Sequence, residues 1–532
     1  MKFKNGWFAV FAVLLFSVGA TASPRSPRVI YEVFTRSFQD SNGDGVGDLD
    51  GITSRLDYLN NGTTKSLGVD ALWLTPLFPS PSYHGYDATN YVDVNPLYGN
   101  LNSMARLITE AHHHGIRVFL DMAVNHTSNR HPWFESSASS PSSPDRGLYL
   151  WSPSPLDWPF GIGKWHALNG EFYYGSFGGE AGVMPDLNWK NPMVLHKIEE
   201  VFLFWTKMGI DGFRLDAAKF LDKGPQGQQN TALTHQIWKQ IIGTVRQVNP
   251  QSYFVGEVWD SAANIASYYG GGDELDSAFD FPVAFGLRTS LEKEEATSFA
   301  GALEERVRVQ PNSTFTSPII NNHDMVRIAS LVRGDMAALK LAAVAQLTLP
   351  GTPTIYYGDE IGIPEGPQVG DLGKRTPMSW DNSANHGFTS PGAHVWAQFS
   401  TDNPAISAAT QAADPGSLLN SYRNLLQLKR QMPALRSGQI SQIHVLNAGV
   451  VTYVADFSNN AQERNQVLMV LNFSKNAFAS LSVPVELNGP VKGIRTAYGT
   501  LKGSVAGQKG RAILLDLKNL PPSSGHVVYL NE

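Results

Sequence analysis

The 532-residue sequence contains no cysteine, which excludes disulfide bonds and a lipid-modified N-terminal cysteine. It also has no basic cluster: 41 lysines and arginines stand against 47 acidic residues, for a net charge of −6. We therefore expect no nucleic-acid partner. Beyond the N-terminus, no apolar run has the length of a membrane span. Apolar residues make up 42% of the chain, enough for a large core, either in about two or three domains or in an α/β barrel that takes most of the length.

The N-terminus has the three parts of a secretory signal. Lys2 and Lys4 precede the apolar run Trp7–Val18, and Ala20–Ala22 forms a small-residue cleavage site. The alternative is a membrane anchor, but the run is shorter than the ~20 residues that span a bilayer. We predict a signal peptide over 1–22, cleavage after Ala22, and export to the periplasm or the medium. We expect an exported chain without disulfides to rely on core size and on bound metal for its stability.

An acidic loop, DSNGDGVGDLDG, occupies residues 40–51. Oxygen-bearing side chains recur in it at Asp40, Asn42, Asp44 and Asp48. This pattern opens a calcium-binding helix–loop–helix motif, yet Gly51 stands where that motif needs a bidentate glutamate. The preceding stretch reads as a strand and the following one as a helix, so the loop is not a calcium sensor. It predicts either a cation site or a turn whose side chains bond their own backbone.

Strand-like and helix-like segments alternate from about residue 28. Several of the strand segments are nearly continuous apolar runs, typical of strands buried on both faces. Eight strands with helical crossovers predict an α/β protein, a closed (β/α)8 TIM barrel. The predicted strand segments are 28–35, 69–78, 116–124, 209–217, 252–259, 275–283, 317–324 and 353–360.

Two regions interrupt this alternation. A long Ser/Pro/Gly/Trp-rich stretch follows the third strand and predicts a small inserted domain over 127–188. From 437 to 532 the helices stop, and alternating apolar residues predict an all-β sandwich domain. The barrel then comprises 28–126 and 189–436.

Four of the predicted strands carry a carboxylate at or near their carboxyl ends: Asp121, Asp216, Glu257 and Asp324. In such barrels, active sites lie at the carboxyl ends of the strands. Arg214, two residues before Asp216 on the same strand face, is expected to lower the pKa of Asp216 and hold it ionised. Apolar neighbours are expected to raise the pKa of Glu257. Two carboxylates with separated pKa values suit glycoside hydrolysis, whereas each one taken singly could be a structural ion pair.

Four motifs carry a family resemblance: DMAVNH (121–126), GFRLDAAKF (212–220), GEVW (256–259) and NNHD (321–324). They resemble the α-amylase family of retaining glycoside hydrolases, over nearly the whole mature length. A fifth motif, MPDLN (184–188), is similar to that of a group intermediate between α-amylases and oligosaccharide-cleaving members. The resemblance implies Asp216 as nucleophile, Glu257 as general acid/base, and Asp324 as the carboxylate that grips sugar hydroxyls.

The resemblance also implies substrate and metal ligands, but no organic cofactor. The substrate-binding residues are His84, Tyr86, His126, Arg214, Lys219 and His323. The Ca²⁺ ligands are Asp40, Asn42, Asp44, the Val46 carbonyl and Asp48. A second calcium site at Asn125 stays open, because its other ligands cannot be aligned.

We therefore expect a secreted, monomeric hydrolase that cleaves α-1,4-glucosidic bonds of starch and maltooligosaccharides with retention of configuration. We expect no membrane contact after signal cleavage. The alternatives are an α-glucosidase, a neopullulanase-like enzyme or a transglycosylase such as a trehalose synthase. Tyr83 stands where strict exo-glucosidases tend to carry an aspartate, which argues against the first. A binding or transport-associated protein that has lost catalysis is disfavoured, because all three carboxylates are present.

Overall fold

A computed structural model describes residues 25–158, 163–225, 228–310, 312–458, 464–488 and 493–530. The predicted signal peptide, 1–22, lies outside these residues. Within the described ranges, no helix combines the length and apolar character needed to cross a bilayer. The strands there, in chain order, are β1 (Ile30–Val33), β2 (Ala71–Leu74), β3 (Arg117–Met122), β4 (Trp151–Ser152), β5 (Lys164–Leu168), β6 (Glu171–Gly175), β7 (Gly212–Leu215), β8 (Tyr253–Gly256), β9 (Ser277–Phe279), β10 (Thr316–Ser317), β11 (Thr354–Tyr356), β12 (Gln439–Leu446), β13 (Val450–Ser458), β14 (Arg464–Asn472), β15 (Phe478–Glu486), β16 (Arg495–Tyr498), β17 (Lys502–Lys509), β18 (Ala512–Leu520) and β19 (Ser524–Tyr529).

Helices alternate with the barrel strands, and their apolar faces cover the sheet. In the helix over 101–113, Met104, Leu107, Ile108 and Ala111 are buried at helical spacing, and the Asn100 side chain caps the first turn. The helices are α1 (Thr35–Phe38), α2 (Leu49–Ser54), α3 (Leu56–Leu59), α4 (Leu101–His113), α5 (Pro132–Ser139), α6 (Pro192–Met208), α7 (Ala232–Val248), α8 (Ala262–Ser267), α9 (Phe281–Lys293), α10 (Thr297–Val309), α11 (Ile328–Leu331), α12 (Met336–Thr348), α13 (Asp371–Lys374), α14 (Ala408–Ala413), α15 (Leu418–Gln431) and α16 (Pro433–Ser437).

Eight parallel strands form the barrel, in the order β10-β9-β8-β7-β3-β2-β1-β11. Each predicted strand segment overlaps one of them, although the seventh segment, 317–324, shares only Ser317 with β10; the predicted fold class is confirmed. The seventh barrel strand, β10, is only two residues long because Pro318 follows it and has no N–H to donate. The barrel closes nevertheless, since the Thr354 N–H donates to the Pro318 carbonyl at 3.0 Å. Because all the strand pairs are parallel, the carboxyl ends of the eight strands lie on one face of the barrel.

The segment after β3 carries α5 and a three-stranded antiparallel sheet, β4-β6-β5. Phe134, Trp151 and Tyr173 pack edge to face or stacked at 4.9 to 5.7 Å, so aromatic residues build a core for this segment. The last part of the chain forms a five-stranded and a three-stranded antiparallel sheet. Apolar residues of both sheets, such as Val454 and Leu515, share one buried cluster, as in a sandwich.

Candidate active site

A cavity of about 440 Å³ opens at the carboxyl ends of the barrel strands. Asp216 and Glu257 each directly follow the last residue of a barrel strand, β7 and β8, and Asp324 lies in the connection after β10. All three line the cavity. The predicted substrate-binding residues among the lining are His84, Tyr86 and His126.

Arg214 lies beneath this cavity, fully buried on β7. Its Nη1 is 2.6 Å from Asp216 Oδ1 and 2.7 Å from Asp121 Oδ1. Its Nη2 is 3.0 Å from Glu257 Oε2. One guanidinium therefore contacts both predicted reacting carboxylates: Nη1 donates hydrogen bonds to Asp216 and Asp121, whereas Nη2 attracts Glu257 by charge without a directed hydrogen bond.

Burial dominates the protonation of Asp216. It raises the pKa of Asp216 to about 6; Arg214 opposes the shift, while Asp121 and Asp324 add to it. The predicted lowering of this pKa is therefore wrong. Loss of hydration destabilises the charged carboxylate more than Arg214 stabilises it, because the one guanidinium is shared among three carboxylates. Asp216 is still ionised at neutral pH, as a nucleophile requires.

Glu257 follows the expected pattern. Burial raises the pKa of Glu257 against the opposing effect of Arg214, and this favours the protonated acid that a leaving group needs. The Ala217 N–H donates to Glu257 Oε2 at 2.9 Å. Ala217 holds φ at +45°, in the left-handed region that residues other than glycine rarely adopt. Local backbone strain thus aims this N–H at the acid from the residue next to Asp216.

Asp324 is held as an anion. Burial acts to raise its pKa, but His323 and Arg375 outweigh burial and keep the pKa well below its usual range. His323 Nε2 lies 3.1 Å from Asp324 Oδ2, and Arg375 Nη2 lies 2.8 Å from Oδ1. The three predicted catalytic carboxylates therefore differ in pKa because their surroundings differ.

Of the six predicted substrate-binding residues, Arg214, Lys219 and His323 do not line the cavity, and Arg214 and His323 are fully buried. The Tyr86 hydroxyl donates to Asp121 at 3.0 Å and lies 2.6 Å from His323 Nε2. Burial lowers the pKa of His126 to about 4, so His126 is neutral and its Nε2–H donates to the Tyr86 carbonyl. Lys219 does not line the cavity; it donates to the Trp259 carbonyl at 2.7 Å and to Asp260 at 3.0 Å.

Sequence reasoning missed part of the cavity wall. Arg375 and Asp371 line the cavity and lie 3.4 Å apart, in the segment after the last barrel strand. Phe177 reaches the cavity from the inserted segment. Trp259 is 41% exposed and stacks on Phe281 at 4.5 Å, so it offers a flat apolar face at the rim. The charge-rich stretch DLGKR was the available signal for the first two, but it lies well beyond its strand.

Asn125 contacts a lysine. Lys223 Nζ lies 2.8 Å from Asn125 Oδ1 and 3.4 Å from Asp186 Oδ2, and it also donates to the Phe220 carbonyl. Both charged side chains are almost fully buried. An internal ammonium thus joins Asp186 of the inserted segment to the barrel at the position left open for a second calcium.

The acidic loop binds its own backbone. Asp40 accepts the N–H groups of Asn42, Gly43 and Gly45, and Asp44 accepts that of Val46. In the part of the chain that the structure describes, no group of three or more acidic or imidazole side chains is placed to hold a metal. The oxygen ligands of the loop still suit a hard cation. A carboxylate has about four acceptor positions, and the Val46 N–H occupies only one of those on Asp44, so the others can face a cation.

Comparison with known proteins supports the class that this geometry defines, a glycoside hydrolase on a (β/α)8 barrel. The model of the alpha amylase catalytic domain matches residues 32–438. Alpha-amylase 3 of Dictyoglomus thermophilum is 38% identical over 455 residues, which cover 85% of this chain and 86% of that protein. The solved α-amylase from H. orenii has a TM-score of 0.80 at 30% identity and covers 95% of this chain and 100% of its own.

Other similar proteins are named for different activities. A probable alpha-glucosidase of Rhizobium meliloti is 32% identical over 530 residues, covering 87% of this chain and 92% of that protein. The trehalose synthase/amylase TreS of Mycolicibacterium smegmatis is 30% identical over 518 residues, covering 86% and 85%. The chain belongs to the α-amylase family, glycoside hydrolase family 13. It is a glycoside hydrolase of the α-amylase type, in the intermediate group that the motifs indicated.

Proposed function

We propose that this enzyme cleaves α-1,4-glucosidic bonds of starch and maltooligosaccharides with retention of configuration. The observation that carries the proposal is the set of three carboxylates around one cavity, each in a different electrostatic setting. Asp216 attacks the anomeric carbon while Glu257 protonates the leaving oxygen. Glu257 then takes a proton from water, which releases the sugar from Asp216. Asp324 accepts hydrogen bonds from sugar hydroxyls, which strengthen as the ring distorts.

The decisive experiment combines two variants with product stereochemistry. Asp216→Asn and Glu257→Gln should each lower kcat by several orders of magnitude while the proteins stay folded by circular dichroism. Proton NMR of freshly released sugar should show the α-anomer first. A folded Asp216→Asn protein with near-normal activity, or first release of the β-anomer, would remove the proposed nucleophile or the retaining mechanism.

One observation favours the α-glucosidase alternative. Asp371 supplies a carboxylate to the cavity wall, paired with Arg375, even though Tyr83 occupies the expected aspartate position. A charged pair at the end of a cavity can bind the hydroxyls of a terminal glucose and stop the chain there. Transfer to an acceptor sugar uses the same covalent intermediate, and Trp259 at the rim offers that acceptor an apolar face.

We further propose that Asp40, Asn42, Asp44, Asp48 and the Val46 carbonyl bind Ca²⁺. The support is the set of oxygen ligands at alternate positions on the loop that links α1 to α2. A bound cation would hold this connection and stabilise the native state by mass action.

We also propose export with cleavage after Ala22, supported by the three-part pattern of residues 1–22. N-terminal sequencing of protein from the medium and from a periplasmic extract tests it. The mature chain should begin at Ser23; an N-terminus that still carries the apolar run would contradict cleavage.

A further inference from the structure

A buried glutamate contacts the active-site histidine from the side opposite the cavity. Glu32 lies on β1, fully buried, and its Oε1 is 2.5 Å from His323 Nδ1. It lies outside the five family motifs at 121–126, 184–188, 212–220, 256–259 and 321–324. It meets His323 only because the barrel brings β1 beside the connection after β10.

The partners of His323 fix where its protons lie. Nε2 faces two oxygens, Asp324 Oδ2 at 3.1 Å and the Tyr86 hydroxyl at 2.6 Å. The single proton of that hydroxyl is given to Asp121. Nε2 must therefore carry a hydrogen and donate it, while the Glu32 carboxylate accepts one from Nδ1. An imidazole with both hydrogens carries a positive charge.

We propose that Glu32 is a positioning residue for the reaction: it holds His323 as an imidazolium whose Nε2–H orients and stabilises Asp324. The inference rests on the proposed function, in which Asp324 binds the distorted sugar. Two features argue against a purely structural role for Glu32. Its Oε2 has no hydrogen-bond partner among the described residues, although such an atom is costly to bury. Its negative charge pairs with the positive charge of His323, and the imidazole ring of His323 connects Glu32 to Asp324.

Charged and titratable groups from several elements surround the pair. They are Asp121, Arg214, Asp324, Tyr86, Tyr356, Asp359 and Arg375. Burial acts to lower the pKa of His323, but Asp324 and Glu32 outweigh it and raise the pKa to about 10. Burial raises the pKa of Glu32, and His323 opposes that shift. Removal of Glu32 should therefore lower the pKa of His323, and the imidazolium should persist only at more acid pH.

The test compares Glu32→Gln and Glu32→Leu with Glu360→Gln. Glu360 is an equally buried glutamate in the same sector, and its Oε1 accepts the hydroxyls of Tyr31 and Tyr58 instead of a cavity residue. Both Glu32 variants should lower kcat on a maltooligosaccharide of defined length by about 10- to 100-fold, by analogy with the loss when the partner that orients a metal-ligating imidazole is removed. KM should change little, because the affected contact strengthens in the transition state. Glu360→Gln should alter stability only.

Two readouts separate positioning from loss of packing. The ratio of Glu32→Gln kcat to parent kcat should rise as the pH falls, because acid restores the imidazolium. In histidine-¹⁵N-labelled protein, both His323 ring nitrogens should appear protonated in the parent at neutral pH and only one in the variant. A pH-independent loss that matches the loss in Glu360→Gln, or unchanged kcat, overturns the inference. If Asp216→Asn is also fully active, the proposed function fails; if Asp216→Asn is inactive while Glu32→Gln is normal, only this inference fails.

Discussion

Arg214 Nη1 lies 2.6 Å from Asp216 Oδ1, and the same guanidinium reaches Glu257 through Nη2 at 3.0 Å. A lysine offers one ammonium on a flexible stem and cannot span two carboxylates in this way. We predict that Arg214→Lys lowers kcat by at least about 100-fold, comparable to the loss of a preorganised donor in an active site. Arg246→Lys is the matched control, since Arg246 pairs with Asp276 at 2.7 Å outside the cavity. Equal losses in the two variants would mean that Arg214 only supports the fold.

The pH dependence of kcat/KM follows from two carboxyl groups. Asp216 acts as an anion, so the rate should fall as the pH drops through about 6, the pKa that burial gives it. Glu257 acts as an acid, so the rate should also fall at higher pH, where its raised pKa is exceeded. A bell-shaped profile on soluble starch tests this. An acid limb near the ordinary aspartate value of about 4 would show that Arg214 outweighs burial.

The barrel, the predicted catalytic carboxylates and their strands could be identified from the sequence because each motif ends a buried apolar run. Glu32, Asp371 and Arg375 could not be. Glu32 looks like an interior polar residue of β1, and its partner His323 is distant in the chain. The direction of the Asp216 pKa was mispredicted for a related reason: spacing reveals the neighbouring Arg214, but not how deeply the carboxylate is buried or that Asp121 competes for the same guanidinium.

Lys223 joins the inserted segment to the barrel through Asp186. Removal of one partner leaves a buried, uncompensated charge, so we predict that Lys223→Met lowers the free energy of unfolding by about 3–5 kcal/mol. The control is Lys239→Met, which removes an exposed pair with Asp273 and should cost about 1 kcal/mol or less. Urea unfolding measures both. Equal small effects would show that Asn125, Ser176 and the backbone satisfy Asp186 without the ammonium.

Calcium should raise the melting temperature of the native protein, because a ligand that binds only the folded state stabilises it. We predict that a chelator lowers the melting temperature and that added Ca²⁺ restores it. Asp44→Ala should abolish this response, whereas Asp50→Ala, an exposed neighbour paired with Arg106, should keep it. If neither chelator nor Asp44→Ala changes melting, the loop is a self-bonded turn and calcium plays no part there.

The product pattern distinguishes the α-amylase from the α-glucosidase alternative. Internal cleavage needs a cleft open on both sides of the scissile bond, and Tyr83 leaves the usual exo-type aspartate position without a carboxylate. The exposed face of Trp259 can stack on a sugar beyond the bond. We predict that iodine staining of soluble starch falls early relative to the number of reducing ends, with maltose and longer oligosaccharides among the first products.

A substitution in the Asp371–Arg375 pair tests this prediction most directly. If the pair only orients Asp324, Asp371→Asn should keep the early oligosaccharide pattern, because Arg375 Nη2 still bonds Asp324 at 2.8 Å. If the pair instead closes the cavity behind a terminal glucose, the parent should release glucose alone and leave iodine-staining starch nearly intact. In that case Asp371→Asn should raise KM for maltooligosaccharides most, because it removes an acceptor for the terminal hydroxyls. Chromatography of early products from parent and variant decides between the two, and early glucose from the parent would establish the exo-acting alternative.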